Sequence, residues 1–102
     1  MYEVIWLQAA EQDLAAAARY IAGVLANRSA AIRLIERATA AADSLREMPL
    51  RFPVYAAGVP LRQVYRVLPI GHYQMYYYVS DRRVVIARLL YAGRNTAADD
   101  FE

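Results

Sequence analysis

The chain of 102 residues is 59% hydrophobic, carries a formal net charge of +2 and contains no cysteine. That length accommodates one domain, residues 1–102, around a single core, while the lack of thiols and the lone histidine, His72, exclude disulfides and any cysteine- or histidine-rich metal site. No apolar run approaches the roughly 20 residues that span a bilayer, and the N-terminus lacks a basic segment followed by an apolar leader, so a cytoplasmic protein with neither metal nor cofactor is expected.

Tyr2 to Leu7 is short, aromatic and β-branched, and predicts a strand. From Gln8 the period changes. Ala10, Leu14, Ala17, Ile21 and Leu25 recur at spacings of three and four, which predicts an alanine-rich amphipathic helix running to Leu25. Asn27 is a good N-cap for a second helix, on which Ala31, Leu34, Ile35, Ala38, Ala41, Ala42 and Leu45 form the apolar face. With only one or two residues between them, the helices should fold back as an antiparallel hairpin. Met48-Pro49 ends the second helix, because proline disfavours helical geometry in the residue before it. Leu50 to Pro60 then reads as a loop. Strands follow at Leu61 to Leu68, His72 to Val79 and Arg83 to Tyr91, joined by turns at 69–71 and 80–82. The order β-α-α-β-β-β predicts an α+β fold in which the helical hairpin packs on one face of a mainly antiparallel sheet.

Charge is unevenly placed along this order. Residues 51–94 hold seven arginines against the single acid Asp81, a balance of +6, whereas residues 1–50 balance at −1 and 95–102 at −3. All twelve basic residues are arginine, so every cation is a planar fork suited to carboxylate or phosphate, and no lysine can serve as a titratable base. A basic strand region is a place to meet nucleic acid or an acidic protein.

The residues also carry a family resemblance. Tyr2 and Val4, A-E-Q-D-L at Ala10 to Leu14, Tyr20-Ile21, A-I-R-L-I at Ala31 to Ile35, Ser44-Leu45 and Pro49 are similar to the N-terminal half of the RelE/ParE toxins of bacterial toxin-antitoxin systems. R-V-L-P-I-G-H-Y-Q-M-Y-Y at Arg66 to Tyr77 and V-V-I-A-R-L-L-Y-A-G-R at Val84 to Arg94 resemble that family's hairpin and last strand. The resemblance implies one of two activities. RelE-like members cleave mRNA on the ribosome, with basic residues stabilising the phosphate; ParE-like members interfere with DNA gyrase and carry out no covalent chemistry. The arginine that RelE-like toxins have on the middle hairpin strand falls at Gln74, the basic pair on the preceding strand is reduced to Arg66 with Val64 where the other would be, and the late tyrosine falls near Asp100. RNA cleavage needs a base, an acid and stabilisation of the phosphorane, and only the last has a candidate in Arg94. The ParE-like reading leads, with the mRNA endonuclease as the alternative and a degenerate, purely antitoxin-binding module as a third. The implied partners are a ParD-like antitoxin, joined in a toxin-antitoxin hetero-oligomer that touches DNA only through the antitoxin, and gyrase as the target.

Individual residues have competing uses. Arg94, Arg66, Arg62 and Tyr91 are candidates for contacting the target. Arg94 has a rival use as the ion-pair partner of Asp99, Asp100 or Glu102, and Arg62 and Arg66 share a face if both lie on the strand. Asp13 is expected to be an anchor that holds Arg88 in the sheet. Tyr73, Tyr76, Tyr77 and Tyr78 read as packing residues, with Tyr76 or Tyr78 the more exposed, and His72 reads as a turn residue.

Overall fold

The computed structural model describes residues 1–101. Its elements run β1 (Glu3–Trp6), α1 (Gln8–Arg19), a single π-turn (Tyr20–Val24), α2 (Arg28–Ser44), β2 (Arg66–Ile70), β3 (Tyr73–Ser80) and β4 (Arg83–Tyr91). The strands form one sheet in the order β1-β4-β3-β2, antiparallel except for the parallel β1–β4 pair. This is the α+β arrangement anticipated above, with the first strand at one edge.

Local chemistry accounts for the boundaries. Asn27 caps α2, its side-chain oxygen accepting from the Ala30 amide at 3.0 Å. Beyond the other end of α2, the Arg51 guanidinium donates to the Ser44 carbonyl at 3.3 Å, placing a cation where the helix leaves its carbonyls unpaired, and to the carbonyls of Glu47 at 2.7 Å and Met48 at 3.1 Å in the segment that follows. The hairpin turns are tight: Ile70 pairs with Tyr73 across Gly71-His72, and Ser80 with Arg83 across Asp81-Arg82. Gly71 and Asp81 adopt positive φ at 58° and 56°, a conformation that glycine tolerates freely and aspartate better than most residues.

Several boundaries depart from the expectations. The first helix does not continue as α to Leu25; from Tyr20 it widens into i→i+5 bonds, with the Leu25 amide donating to the Tyr20 carbonyl at 3.2 Å. The chain then reverses at Ala26, whose φ is 50°. Apolar spacing alone does not distinguish the two, because Ile21 faces the core either way. The first strand of the hairpin begins at Arg66 and extends to Ile70, so Arg62 and Val64 lie in the preceding loop and Arg62 shares no strand face with Arg66. Pro69 sits inside this strand rather than in a turn, as β2 is the edge strand and tolerates a residue without an amide proton. Ile35 lies on the outer flank of the expected apolar face and is 43% exposed.

The core lies between helices and sheet. Ala10 and Ala17 of α1 and Leu34, Ala38 and Ala42 of α2, with Leu45 beyond it, pack on Leu68, Ile70, Met75, Tyr77, Val84, Ile86 and Leu89. Alanines at the helix contacts let the hairpin sit close to the strands. Tyr77, completely buried, donates its hydroxyl to the Pro49 carbonyl at 2.6 Å, and burial raises its pKa above the ordinary tyrosine value. A β-bulge shifts the β3–β4 register, Tyr76 facing Arg88 while Tyr77 faces Ile86. Ala87 is the extra residue, and beyond it Leu89 rather than Arg88 points into the core.

The opposite face of the sheet is covered as well. Tyr76, Val85 and Leu90 are buried there, as is Tyr65 just before β2, and the covering material is the loop ahead of β2 and the segment after β4. Phe101 stands within 5.5 Å of the rings of Tyr55, Tyr65 and Tyr76, measured between centroids. Tyr76, one of the two tyrosines expected to be exposed, is therefore only 3% accessible, because a tail that leaves no hydrophobic periodicity in the sequence lies over it.

Candidate functional site, a basic collar around the C-terminal turn

Where β1 ends at Trp6 and the chain turns into α1, the neighbouring edge of β4 loses its strand partner. Asp13 of α1 takes its place. One carboxylate oxygen accepts from the Leu89 amide at 3.0 Å and from Arg88 Nε at 2.7 Å, and the other accepts from Arg88 Nη2 at 2.9 Å. The pair is bidentate and mostly shielded, the side chains being 15% and 20% exposed, which is the geometry in which an arginine–carboxylate contact is strongest. The hydrogen bonds that Arg88 donates to Asp13, opposed by burial and aided by the charges of Asp13 and Asp100, raise the Arg88 pKa. Asp13 and Arg88 thus join α1 to β4.

Arg88 has one more donor, and it points to the other side. Nη1 donates to the Asp100 carbonyl at 2.7 Å. Asp100 is the hub of a short 3-10 turn, Ala98–Asp100: one carboxylate oxygen accepts from the Ala97 amide at 2.8 Å and the other pairs with Arg94. Arg62 lines a shallow hollow with Tyr65, Tyr78 and Phe101 beside the same turn. Arg62 from the loop before β2 thereby joins Arg88 and Arg94, from β4 and just beyond it, around residues 98–101. Arg94 does not project freely; its charge is met by Asp100, although its side chain stays 47% exposed. Of the acids proposed as its partner, Glu102 lies outside the described residues.

The remaining expected residues are placed elsewhere. Arg66 Nη1 donates to the carbonyls of Leu50 at 3.1 Å and Phe52 at 2.8 Å, so this guanidinium fastens the loop between α2 and β2. Tyr91 ends β4, 56% exposed, with its ring edge-on to Tyr73 at 5.7 Å between centroids. Gln74 accepts from the Tyr76 hydroxyl at 2.9 Å, and Val64 is 64% exposed in a loop. Sequence reasoning missed the part played by Phe101. A single aromatic residue in an acidic tail, opposite in charge to the strands, is the only sign of it.

Among the described residues no group of histidines and carboxylates is arranged to hold a metal ion, and no helix is long and apolar enough to cross a membrane. The arrangement gathers guanidinium groups and aromatic rings around the carboxylate of Asp100.

A helical hairpin packed on the β1-β4-β3-β2 sheet, with an arginine just past the last strand, defines a two-layer α+β fold. Over 89% of its length the chain superposes, with a TM-score of 0.72 and 18% identity, on 96% of a chain from the solved chromosomal ParDE toxin-antitoxin system of P. aeruginosa. No curated protein matches the chain by sequence. The family profile of the ParE toxin of type II toxin-antitoxin systems, parDE, matches residues 4–96, and the chain belongs to that family.

Proposed function

We propose that this ParE-family toxin arrests growth by binding DNA gyrase, without covalent chemistry of its own, and that a ParD-like antitoxin made beside it neutralises it in a hetero-oligomer. It acts in the cytoplasm as one domain spanning residues 1–102, and DNA is met only through the antitoxin. The observation that carries this reading is the use to which the cations are put. A nuclease stabilises a phosphorane with unneutralised basic groups set beside a base and an acid. Here Arg66 is occupied by two carbonyls, and Gln74, at the position where RelE-like toxins carry an arginine, is an uncharged residue tied to Tyr76. The exposed part of the collar, Arg94 and Arg62 with Tyr91 nearby on β4, suits contact with an acidic protein surface, where arginine and tyrosine supply charge and rigid area together.

Supercoiling by purified gyrase, with and without the toxin, tests the proposal. Inhibition is expected at stoichiometric toxin, weakened at least about tenfold by Arg94→Ala, the loss that one charge-assisted contact brings. Normal supercoiling at toxin excess, together with A-site cuts in translated mRNA, would instead establish the endonuclease reading.

A further inference from the structure

The segment that follows β4 lies over the sheet without joining it. Among the described residues, the backbone hydrogen bonds of residues 95–101 are local, from the Asp100 amide to the Ala97 carbonyl and from the Phe101 amide to the Ala98 carbonyl, and no strand shares one. Side chains hold it instead. Arg88 Nη1 reaches the Asp100 carbonyl at 2.7 Å, Arg94 pairs with the Asp100 carboxylate, and the Tyr65 hydroxyl donates to the Phe101 carbonyl at 3.3 Å. The Phe101 ring stands 4.9 Å from that of Tyr65 and 5.0 Å from that of Tyr76, between centroids. A carboxylate, two carbonyls and a ring are thus read by guanidinium groups and tyrosines, as a receptor reads a ligand.

The receiving groups are braced independently of the segment they hold. Asp13 fixes Arg88 through Nε and Nη2, so Nη1 keeps its direction whatever accepts from it. Tyr65 is braced edge-on by Tyr78 at 5.5 Å, and Tyr76 by Tyr55 at 5.2 Å and by its hydrogen bond to Gln74. Such preorganisation lowers the ordering cost of binding. Beside Phe101 lies a further hollow of about 170 Å³, bordered by Leu7, Gln63 and Tyr78, with room for another side chain. The family match ends at residue 96, so every one of these receiving side chains lies inside it and Asp99-Asp100-Phe101 lies beyond it. Charge fits the same division, residues 95–102 balancing at −3 against +6 over residues 51–94.

We propose that the collar is a receptor for an acidic-aromatic segment of the toxin's target, a carboxylate followed directly by an aromatic ring, and that Asp100-Phe101 occupy it in the free toxin as a tethered stand-in. The inference rests on the reading above for which protein the target is. The incoming segment sets its carboxylate on Arg94, a carbonyl on Arg88 Nη1 and its ring against Tyr65 and Tyr76, displacing the tail. A nucleic acid strand is disfavoured, because Arg88, the innermost cation, already has its charge met by Asp13. A tethered competitor lowers the apparent affinity by the fraction of molecules whose collar is open, so weakening the tail strengthens binding of the target.

Asp100→Ala with Phe101→Ala, in the full chain, removes both anchors of the cover and leaves the collar intact. In gyrase supercoiling this double variant should reach half-inhibition at a concentration at least about fivefold below that of wild type. Inhibition by wild type that the double variant only equals or falls short of overturns the inference while the gyrase reading stands. A synthetic peptide of residues 95–102 is added at millimolar concentration, since a tethered segment acts at about that effective concentration. It should shift the amide resonances of Tyr65, Tyr76 and Arg88 in the double variant and leave those of wild type in place, whereas a peptide carrying Asp100→Asn and Phe101→Ala should shift neither. No shift in the double variant, or equal shifts with the altered peptide, overturns the inference as well. If wild type and variant both leave gyrase unaffected at excess, the gyrase reading fails, and the peptide result decides the collar by itself.

Discussion

The two faces of the sheet are built from alternate residues of the same strands and are sealed by different physics. Toward the helices the contacts are aliphatic and alanine-rich, made by two amphipathic helices whose periodicity matches the strands they cover. Toward the tail the contacts are aromatic and charged: Phe101 among three tyrosines, Arg88 and Arg94 on Asp100, and the Tyr55 hydroxyl against that of Thr96. The first face owes its closure to regular secondary structure. The second owes it to a short segment held by a few specific contacts, so it can open locally while the fold persists. The difference teaches how the two faces divide the work: regular helices close one side of the sheet, and the arginines proposed to contact the target lie on the side closed by a few specific contacts.

The largest expected effect falls on the helix side. Met75→Ala, at a site with 0% exposure, should cost about 4 kcal/mol through lost transfer energy and a cavity, read as a lower urea midpoint with an unchanged m-value. Next, Asp13→Ala should cost about 3 kcal/mol by leaving Arg88 shielded and unpaired. The double change Asp13→Leu, Arg88→Met should recover much of it, and no recovery would mean that the Leu89 amide, rather than the ion pair, is what Asp13 serves.

On the tail side Phe101→Ala should act differently from either. Lost ring contacts of about 2 kcal/mol should appear as faster hydrogen exchange and proteolysis over residues 92–101, with the global midpoint little changed. A cooperative loss of the whole fold would erase the contrast between the faces. The smallest effect concerns pH. Burial raises the pKa of Tyr76 and Tyr77 above the ordinary value of 10.0, with Tyr55 and Asp100 adding to the rise at Tyr76. The folded chain therefore holds these protons more tightly than the unfolded one, so their contribution to stability is intact below pH 10 and is lost as pH climbs through the raised values. Tyr76→Phe should reduce the alkaline release of the tail, and Tyr77→Phe should blunt global alkaline unfolding while costing about 1 kcal/mol at neutral pH for its hydrogen bond to Pro49.

Much of this was legible in the sequence. The 3.6-residue spacing of alanines and leucines, the Asn27 cap and the β-branched and aromatic residues between Tyr73 and Tyr91 depend on neighbours along the chain, and the elements follow from them; α2 stops at Ser44, ahead of the expected end at Met48-Pro49. The A-E-Q-D-L segment and Arg88 also suggested their pairing, because a lone acid on a helix and an arginine in an apolar strand each need a partner. The collar was harder to read. Arg94 and Asp100 are close in sequence, yet whether Arg94 is masked or free depends on where the tail lies.

What the sequence determined by itself, then, is the order of elements, the helical face that meets the sheet and the family to which the chain belongs, since these rest on local periodicity and on motifs spread over its whole length. The tertiary structure alone decided which residues carry the surface chemistry. Both faces of β3 are apolar or aromatic, so no pattern along the strand could tell that Tyr76 is covered by Phe101. Helical spacing likewise could not reveal that Tyr20–Val24 winds as a π-turn and opens a groove toward Arg33 and Arg37. Those outcomes arise from contacts between residues tens of positions apart, whose energies are settled only when the chain has closed on itself.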